Sequence, residues 1–338
     1  MNADSQSTHA TPFTKLCQMQ RELFEVSPEQ NVMDTPIKID TSVMKHIFEP
    51  TGVASTDAFF DTEDRKYWTV RGQKYLEITK IGKGGSSLVY KVINHKFEQF
   101  ALKNVVVNSE ELPMFLEEIK LLESLCNEAR IINLFDYEIN KSQGTILMTL
   151  ELGQLDLDKL IKQHLDKGGL QMCYIRVYWK EMLEAVNVVH QHRIVHSDLK
   201  PANFILVNGH LKLSDFGIAK QIGNDTTNIE RDDGVGTLNY MAPEAILVNQ
   251  KTKTTYKLGR PSDVWSLGCI LYKMIYGQPP FHHLNMYQKM QAIPDEQFEI
   301  QFGNTKQFAK QSMQWCLQRQ PLKRPTTAQL LGHGFVCE

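Results

Sequence analysis

No Cys-x-x-C pair occurs in the chain. Its six cysteines (Cys17, Cys126, Cys173, Cys269, Cys316, Cys337) are scattered over 338 residues. That spacing excludes a zinc-ribbon or disulfide scaffold and reads as a reducing compartment. Long apolar runs are also missing. The most apolar one, Val264 to Ile275, is interrupted by Lys273 and is too short to span a bilayer, so a buried helix is expected there. No basic-then-apolar leader opens the chain, so no signal peptide is expected. Neither sign of charge dominates: 37 Lys and Arg face 39 Asp and Glu, for a net charge of -2. A polycation built for nucleic acid is excluded. No 34-residue helical repeat precedes Tyr67. The expected partners therefore include neither nucleic acid nor a membrane.

What is present is a composition 42% hydrophobic and 9% aromatic, enough for substantial cores. Charge is uneven along the chain. Residues 1–66 hold 6 basic and 11 acidic side chains, while the remainder is net +3. The first 66 residues carry only short apolar clusters without a period, such as Phe13-Thr14-Lys15-Leu16 and Leu23-Phe24. They are expected to be a disordered acidic extension, with the folded domain over 67–338. Ser27-Pro28 and Thr35-Pro36 are weak phosphorylation signals within it.

Strand patterns begin at Tyr67–Val70, turn at Gly72 and resume at Tyr75–Ile81. Next come Gly82-Lys83-Gly84-Gly85-Ser86-Ser87 and a further strand, Leu88–Asn94. Strand, glycine turn, strand is a hairpin, unlike a dinucleotide-binding turn, which leads into a helix. Glycines allow the backbone to close on phosphates. In Phe100-Ala101-Leu102-Lys103, alternation puts Ala101 and Lys103 on one face, which would be a cleft, with Lys103 reaching phosphates. Glu110–Leu125 reads as an amphipathic helix with Pro113 in its first turn. Glu118 flanks its apolar stripe and is placed to pair with Lys103, with Glu117 as the rival. Strands are expected over Ile131–Ile139 and Thr145–Leu150, and a long core helix over Tyr174–His190. His190 and His192 are read as structural, since no His, Cys and carboxylate constellation suggests zinc. The stretch Asn249–Arg260 carries four cations and no acid, which reads as a solvated loop or a weak anionic docking surface.

One stretch carries chemistry: His196-Ser197-Asp198-Leu199-Lys200-Pro201-Ala202-Asn203, followed by Asp215-Phe216-Gly217. An acid in a short loop can orient a hydroxyl. A lysine two residues on can neutralise phosphate charge. An amide and a second acid can hold magnesium. Phosphoryl transfer needs little more, because its catalysis is mostly positioning and charge stabilisation.

These residues resemble the eukaryotic protein-kinase pattern H-R-D-L-x-x-x-N with D-F-G, and Ala242-Pro243-Glu244 resembles its A-P-E signature. The resemblance covers roughly 75–336. Lys200 favours the Ser/Thr branch. A narrower similarity is to the monopolar-spindle checkpoint kinases, a dual-specificity family. It rests on Arg65–Gly72, Gly84-Gly85-Ser86-Ser87, Phe135–Ile139, Met182–Val186, Ile194–Phe204, Ser262–Tyr272, Ser197 in place of Arg, and Asp225-Thr226-Thr227. Departures are Leu152 in the hinge, where animal members have Cys, and Ser214, where an apolar residue usually precedes D-F-G.

The resemblance implies an α+β bilobal fold, with a small antiparallel N-lobe sheet and one regulatory helix over 67–151 and a mostly helical C-lobe over 152–338. It implies ATP under the loop Gly82, Lys83, Gly84, Gly85, Ser86 and Ser87. Ile81 and Val89 would lie over adenine, with Ala101 and Ile205 under it. Leu150 would gate a rear pocket, and Glu151, Leu152 and Gly153 would form the hinge. Lys103, held by Glu118, would touch the α- and β-phosphates. Asn203 and Asp215 would hold Mg2+. Asp198 would position the substrate hydroxyl, with Lys200 and Thr237 steadying the transferred phosphate. Asp263 would brace the catalytic loop, and Arg324 would pair with Glu244. Self-phosphorylation at Thr226, Thr227 and Thr237 is expected, through transient self-association. Substrates would be kinetochore and checkpoint proteins, phosphorylated on Ser and Thr with some Tyr, in nucleus and cytoplasm and at the kinetochore or spindle in mitosis. The alternatives are a Ser/Thr kinase of another pathway and a pseudokinase scaffold.

Overall fold

The computed structural model describes residues 66–84, 86–216, 238–251 and 259–337. The expected extension up to residue 65, Gly85, Thr226, Thr227, Thr237 and most of the basic stretch after Asn249 lie outside the described residues.

Four strands open the fold: β1 (Tyr67–Val70), β2 (Gln73–Lys83), β3 (Ser87–Ile93) and β4 (Gln99–Val106). Helix α1 (Leu112–Ser124) follows, then β5 (Leu134–Asn140) and β6 (Thr145–Leu150). All six strands form one antiparallel sheet in the order β1-β2-β3-β4-β6-β5. Alternation sorts its faces. Leu102 joins Val70, Tyr75, Tyr90 and Val92 in a buried cluster on one face. The register Val89↔Lys103↔Met148 and Ala101↔Leu150 puts Val89, Ala101, Lys103 and Leu150 on the opposite one. Arg71 in the β1–β2 turn clasps the far edge strand. Its guanidinium pairs with Asp136 at 3.3 Å and its N–H donates to Glu138 at 2.5 Å.

Helix α1 buries Phe115, Ile119 and Leu122 and begins with Pro113 in its first turn. Its spacing resolves the choice of acid. Glu118 is buried, whereas Glu117 is exposed and pairs with Lys120. The expected strand from Ile131 starts three residues later, at Leu134. Residues 131–133 differ because their backbone pairs elsewhere. Ile131 bridges Leu213, and the Ile132 N–H donates to the Leu213 carbonyl.

Strand β7 (Leu155–Asp156) pairs with the hairpin β8 (Phe204–Val207) and β9 (His210–Leu213) in a second small sheet. Asn208 and Gly209, both at positive φ (51° and 85°), make the tight turn between β8 and β9. Asp156 caps helix α2 (Leu157–Leu165) by accepting from the Lys159 N–H. Helix α3 (Met172–Gln191) is the expected core helix and buries Trp179, Met182, Val186 and Val189 completely. Helix α4 (Pro243–Lys251) leads to α5 (Arg260–Tyr276), the buried helix expected from the apolar run. Helices α6 (Met286–Ala292), α7 (Gln307–Cys316), α8 (Thr327–Leu331) and α9 (Gly334–Cys337) complete this part. No helix among the described residues is long and apolar enough to cross a membrane. The sheet with one helix, followed by a mostly helical part, is the bilobal architecture expected.

Candidate active site

The segment 196–203 is held from below by helix α5. Asp263 is fully buried, and its carboxylate accepts from the His196 N–H (2.9 Å), the Ser197 N–H (2.8 Å) and His190 Nε2 (2.8 Å). A buried carboxylate persists only when its oxygens are satisfied, and here two of its partners are the loop's own backbone. The expected brace is present, and His190 joins it. The loop bends sharply at Ser197, φ 64°, and Asp215, beyond β9, is also left-handed, φ 50°. Left-handed backbone at a residue with a Cβ costs energy and clusters at functional sites.

His196 is buried against Phe216 and its Nδ1 accepts from the Asp198 N–H. Burial pushes its pKa down, against the nearby carboxylates, so it is neutral at pH 7. Lys200 Nζ lies 3.4 Å from Asp198 Oδ2. Pro201–Asn203 form a 3-10 turn, and the Asn203 side-chain oxygen accepts from the Lys200 N–H. The Asn203 amide donates to the Asp215 carbonyl at 3.4 Å. Ser214 explains its own departure from an apolar residue. Both its N–H and its hydroxyl donate to the Asn203 carbonyl, at 2.8 and 3.0 Å. The two candidate magnesium residues are thereby tied together.

Above the loop, Lys103 hydrogen-bonds directly to Asp215 and lies 3.9 Å from Glu118. The expectation named Glu118 as its holder. Both carboxylates share the one cation, and Asp215 is the nearer. Burial alone would lower the Lys103 pKa, but the two carboxylates outweigh it and raise it. The charge of Lys103, against burial, pulls the Asp215 pKa below the usual carboxylate range. Burial lifts that of Glu118, and Lys103 offsets part of the lift.

The glycine loop closes through Gly84 N–H to the Ser87 carbonyl (2.8 Å), and Ser86 accepts from the Val106 N–H (2.9 Å). Gly82 lies opposite Val89, while Ile81 and Lys83 are exposed. At the back, Ala101 pairs with Leu150, and Glu151, Leu152 and Gly153 connect to β7. Gly153 is tight against the C-lobe. A Cβ there would come within 2.0 Å of Ile205 Cγ2. Hinge and expected adenine floor are thus in contact. Of the predicted set, the structure brings Lys103 to Glu118 and Asp215, Asn203 to Asp215, Lys200 to Asp198 and Gly153 to Ile205. Magnesium fits the donors: hard oxygen ligands from one carboxylate and one amide, leaving positions for phosphate oxygens and water.

A protein kinase domain model matches residues 75–336. Serine/threonine-protein kinase mph1 of Schizosaccharomyces pombe is 46% identical over 295 residues, covering 79% of this chain and 43% of that protein. Serine/threonine-protein kinase MPS1 of Saccharomyces cerevisiae is 40% identical over 310 residues, covering 86% and 39%. Dual specificity protein kinase TTK of Mus musculus is 38% identical over 337 residues, covering 97% and 36%. The chain belongs to the Mps1/TTK family of protein kinases. It spans less than half the length of these relatives.

Some features of this Mps1/TTK domain were not foreseen from its sequence. Arg130 reaches Glu181 (3.1 Å) and Glu184 (2.8 Å) on α3, and Glu181 also accepts from the Leu211 N–H. Lys212 binds both carboxylate oxygens of Glu151 at 2.8 Å. A signal for Lys212 existed, since it alternates with buried Leu211 and Leu213 and so faces away from their core. Nothing in the sequence indicated which acid it would meet. The expected pair of Arg324 and Glu244 is bidentate, with both contacts at 2.8 Å.

Proposed function

We propose that the chain transfers the γ-phosphoryl group of ATP to Ser and Thr hydroxyls of proteins, with some Tyr. We further propose that it phosphorylates itself and acts on kinetochore and checkpoint proteins, in nucleus and cytoplasm and at the mitotic spindle, with residues 1–66 as an extension outside the catalytic domain. The observation that carries the reading is Lys103, on the sheet, engaging both Glu118 of α1 and Asp215 beside the catalytic loop. One cation set between these groups suits the α- and β-phosphates of a nucleotide.

The proposed roles are these. The loop 82–87 covers the phosphates. Val89, Ala101 and Ile205 enclose the base, with the hinge backbone at 151–153 at its edge and Leu150 behind. Asp198 orients the substrate hydroxyl and accepts its proton late at the carboxylate. Lys200, 3.4 Å from Asp198, balances the charge gathering on the transferred group. Thr237 is assigned to steady both. Asn203 and Asp215 would hold Mg2+, which supplies charge neutralisation to the phosphate oxygens.

The test uses purified protein with MgATP and a Ser/Thr peptide. Wild type transfers phosphate, and Asp215→Ala loses at least about a hundredfold in rate, roughly 2.7 kcal/mol in barrier. Nucleotide binding without any transfer by wild type would instead identify a scaffold.

A further inference from the structure

The hinge carries more than backbone groups. The Glu151 N–H donates to the Asn133 carbonyl at 2.9 Å. The Asn133 N–H returns to the Glu151 carboxylate at 3.2 Å. That carboxylate also takes both contacts from Lys212 Nζ, each at 2.8 Å. The two side chains are only 18% and 14% exposed, so this is a shielded pair with both carboxylate oxygens engaged. Such a pair holds its geometry far better than an exposed one.

Its location gives it consequence. Lys212 pairs in register with Ile205, the residue that meets Gly153. Three residues after Lys212 comes Asp215. The neighbouring Leu213 N–H donates to the Arg130 carbonyl at 2.8 Å, and Ile132 N–H donates back to Leu213 at 3.0 Å. Arg130 is anchored to α3 through Glu181 and Glu184. The loop 130–133 follows α1, the helix that bears Glu118. One short stretch, Arg130 to Asn133, therefore joins the Glu118 helix, the hinge and the strand entering Asp215.

We propose that Lys212 is a positioning residue that, through Glu151 and Asn133, latches the hinge onto the C-lobe and pre-orders residues 151–153 for the adenine ring. The proposal rests on the reading of this cleft as an ATP site. Lys212 does not touch the reacting atoms. It fixes the backbone that meets the base and the floor beneath it. A hinge ordered before binding spares the nucleotide the cost of ordering it, so the latch acts on nucleotide affinity more than on turnover.

The test compares wild type, Lys212→Met, Lys212→Arg and Glu151→Gln, the last keeping size and an acceptor for Asn133 while removing charge. Each is assayed for KM of ATP, kcat on a peptide, equilibrium binding of ATP and thermal unfolding. Lys212→Met and Glu151→Gln should raise both KM and the ATP Kd by about fivefold or more, with kcat within about twofold. Lys212→Arg should return both to within about twofold of wild type. A double mutant should be no worse than either single one, because both remove the same pair. Lowered unfolding temperature with unchanged KM and Kd would make the pair a stability element only and overturn the proposal. Should Lys212→Met not fold, Glu151→Gln carries the same comparison. Absence of transfer by wild type would overturn the functional reading instead, and the ATP Kd series would still decide on the latch.

Discussion

At the scale of the residue, Asp263 shows how a single buried charge can shape a site it never enters. It is fully buried and remote in sequence from the loop it serves, yet two of its three partners are consecutive backbone N–H groups at 196 and 197. Those two hydrogen bonds hold Ser197 at φ 64°, the bend that presents Asp198. Asp263→Ala would leave two backbone donors and His190 without their acceptor. The expected loss is roughly 3 kcal/mol or more, since each unsatisfied buried donor costs about 1–3 kcal/mol. Denaturant titration checks it. Catalysis should fall further than stability accounts for, because a loop free to leave the left-handed bend no longer fixes Asp198. Equal turnover in the fraction that remains folded would argue against this coupling. Lys103 teaches a related lesson. Its identity was legible from position after a glycine loop, but its sharing between Glu118 and Asp215 was not, because Asp215 lies 112 residues away.

At the scale of the element, most of the fold was legible because period and punctuation agreed. The hairpin turns at Gly72 and at Asn208-Gly209, the helix start at Pro113 and the stripe of α1 all stand where the pattern put them. The exceptions are segments whose partners are distant. Ile131 to Asn133 read as strand, opening on two β-branched isoleucines, but their backbone is claimed by Leu213 and Glu151. Lys273 interrupts an apolar run, and it is buried, paired with Asp158 of α2 and 3.5 Å from the Tyr240 hydroxyl. No local rule announces such pairs. Gly153 makes a testable case of close contact between elements. A methyl there must displace Ile205 or move away from the Leu206 carbonyl, 3.1 Å off. Gly153→Ala should weaken ATP binding by about 1–3 kcal/mol, the usual cost of overpacking, and isothermal titration would read it. Unchanged affinity would show that the hinge and β8 separate freely. A second case joins α4 to the turn before α8. Burial alone would raise the Glu244 pKa, but Arg324 and Ser262 together hold it below the ordinary 4.5. A lowered folded pKa means that the pair's contribution is complete above pH 4.5 and fades as pH falls through the folded value. The stability gap between wild type and Glu244→Gln should therefore be widest near neutral pH and close in acid. A gap that stays constant down to pH 3 would show that the charge contributes nothing.

At the scale of the whole molecule, the question is how the chain would switch itself on. The hydroxyl-rich stretch between Gly217 and Ala242 includes Asp225-Thr226-Thr227 and Thr237. In most kinases that are activated there, a phosphate on this stretch pairs with the arginine of H-R-D. Here Ser197 stands at that position, and its backbone is committed to Asp263. A serine offers no charge. Lys103 is held by Asp215 and Lys200 lies beside Asp198. A phosphate on Thr227 must find another partner, and Lys220 and Arg231 are the near cations in sequence. An exposed ion pair of that kind is worth about 0–1 kcal/mol, which corresponds to roughly a fivefold change at most. Activation by this route should therefore be graded, not all-or-none. Thr226 and Thr227 changed together to Ala should lower peptide phosphorylation by about fivefold or less. Thr237→Ala should cost more, because its hydroxyl is assigned to the catalytic centre. Mass spectrometry of wild type and Asp215→Ala protein made in bacteria, with rates for each variant, decides it. Phosphate on Thr226 or Thr227 in wild type, absent from Asp215→Ala, is the expected result. An unphosphorylated wild type with a fully active double mutant would show that the chain needs no such switch, and a thousandfold loss in the double mutant would show that a strong cationic partner exists elsewhere.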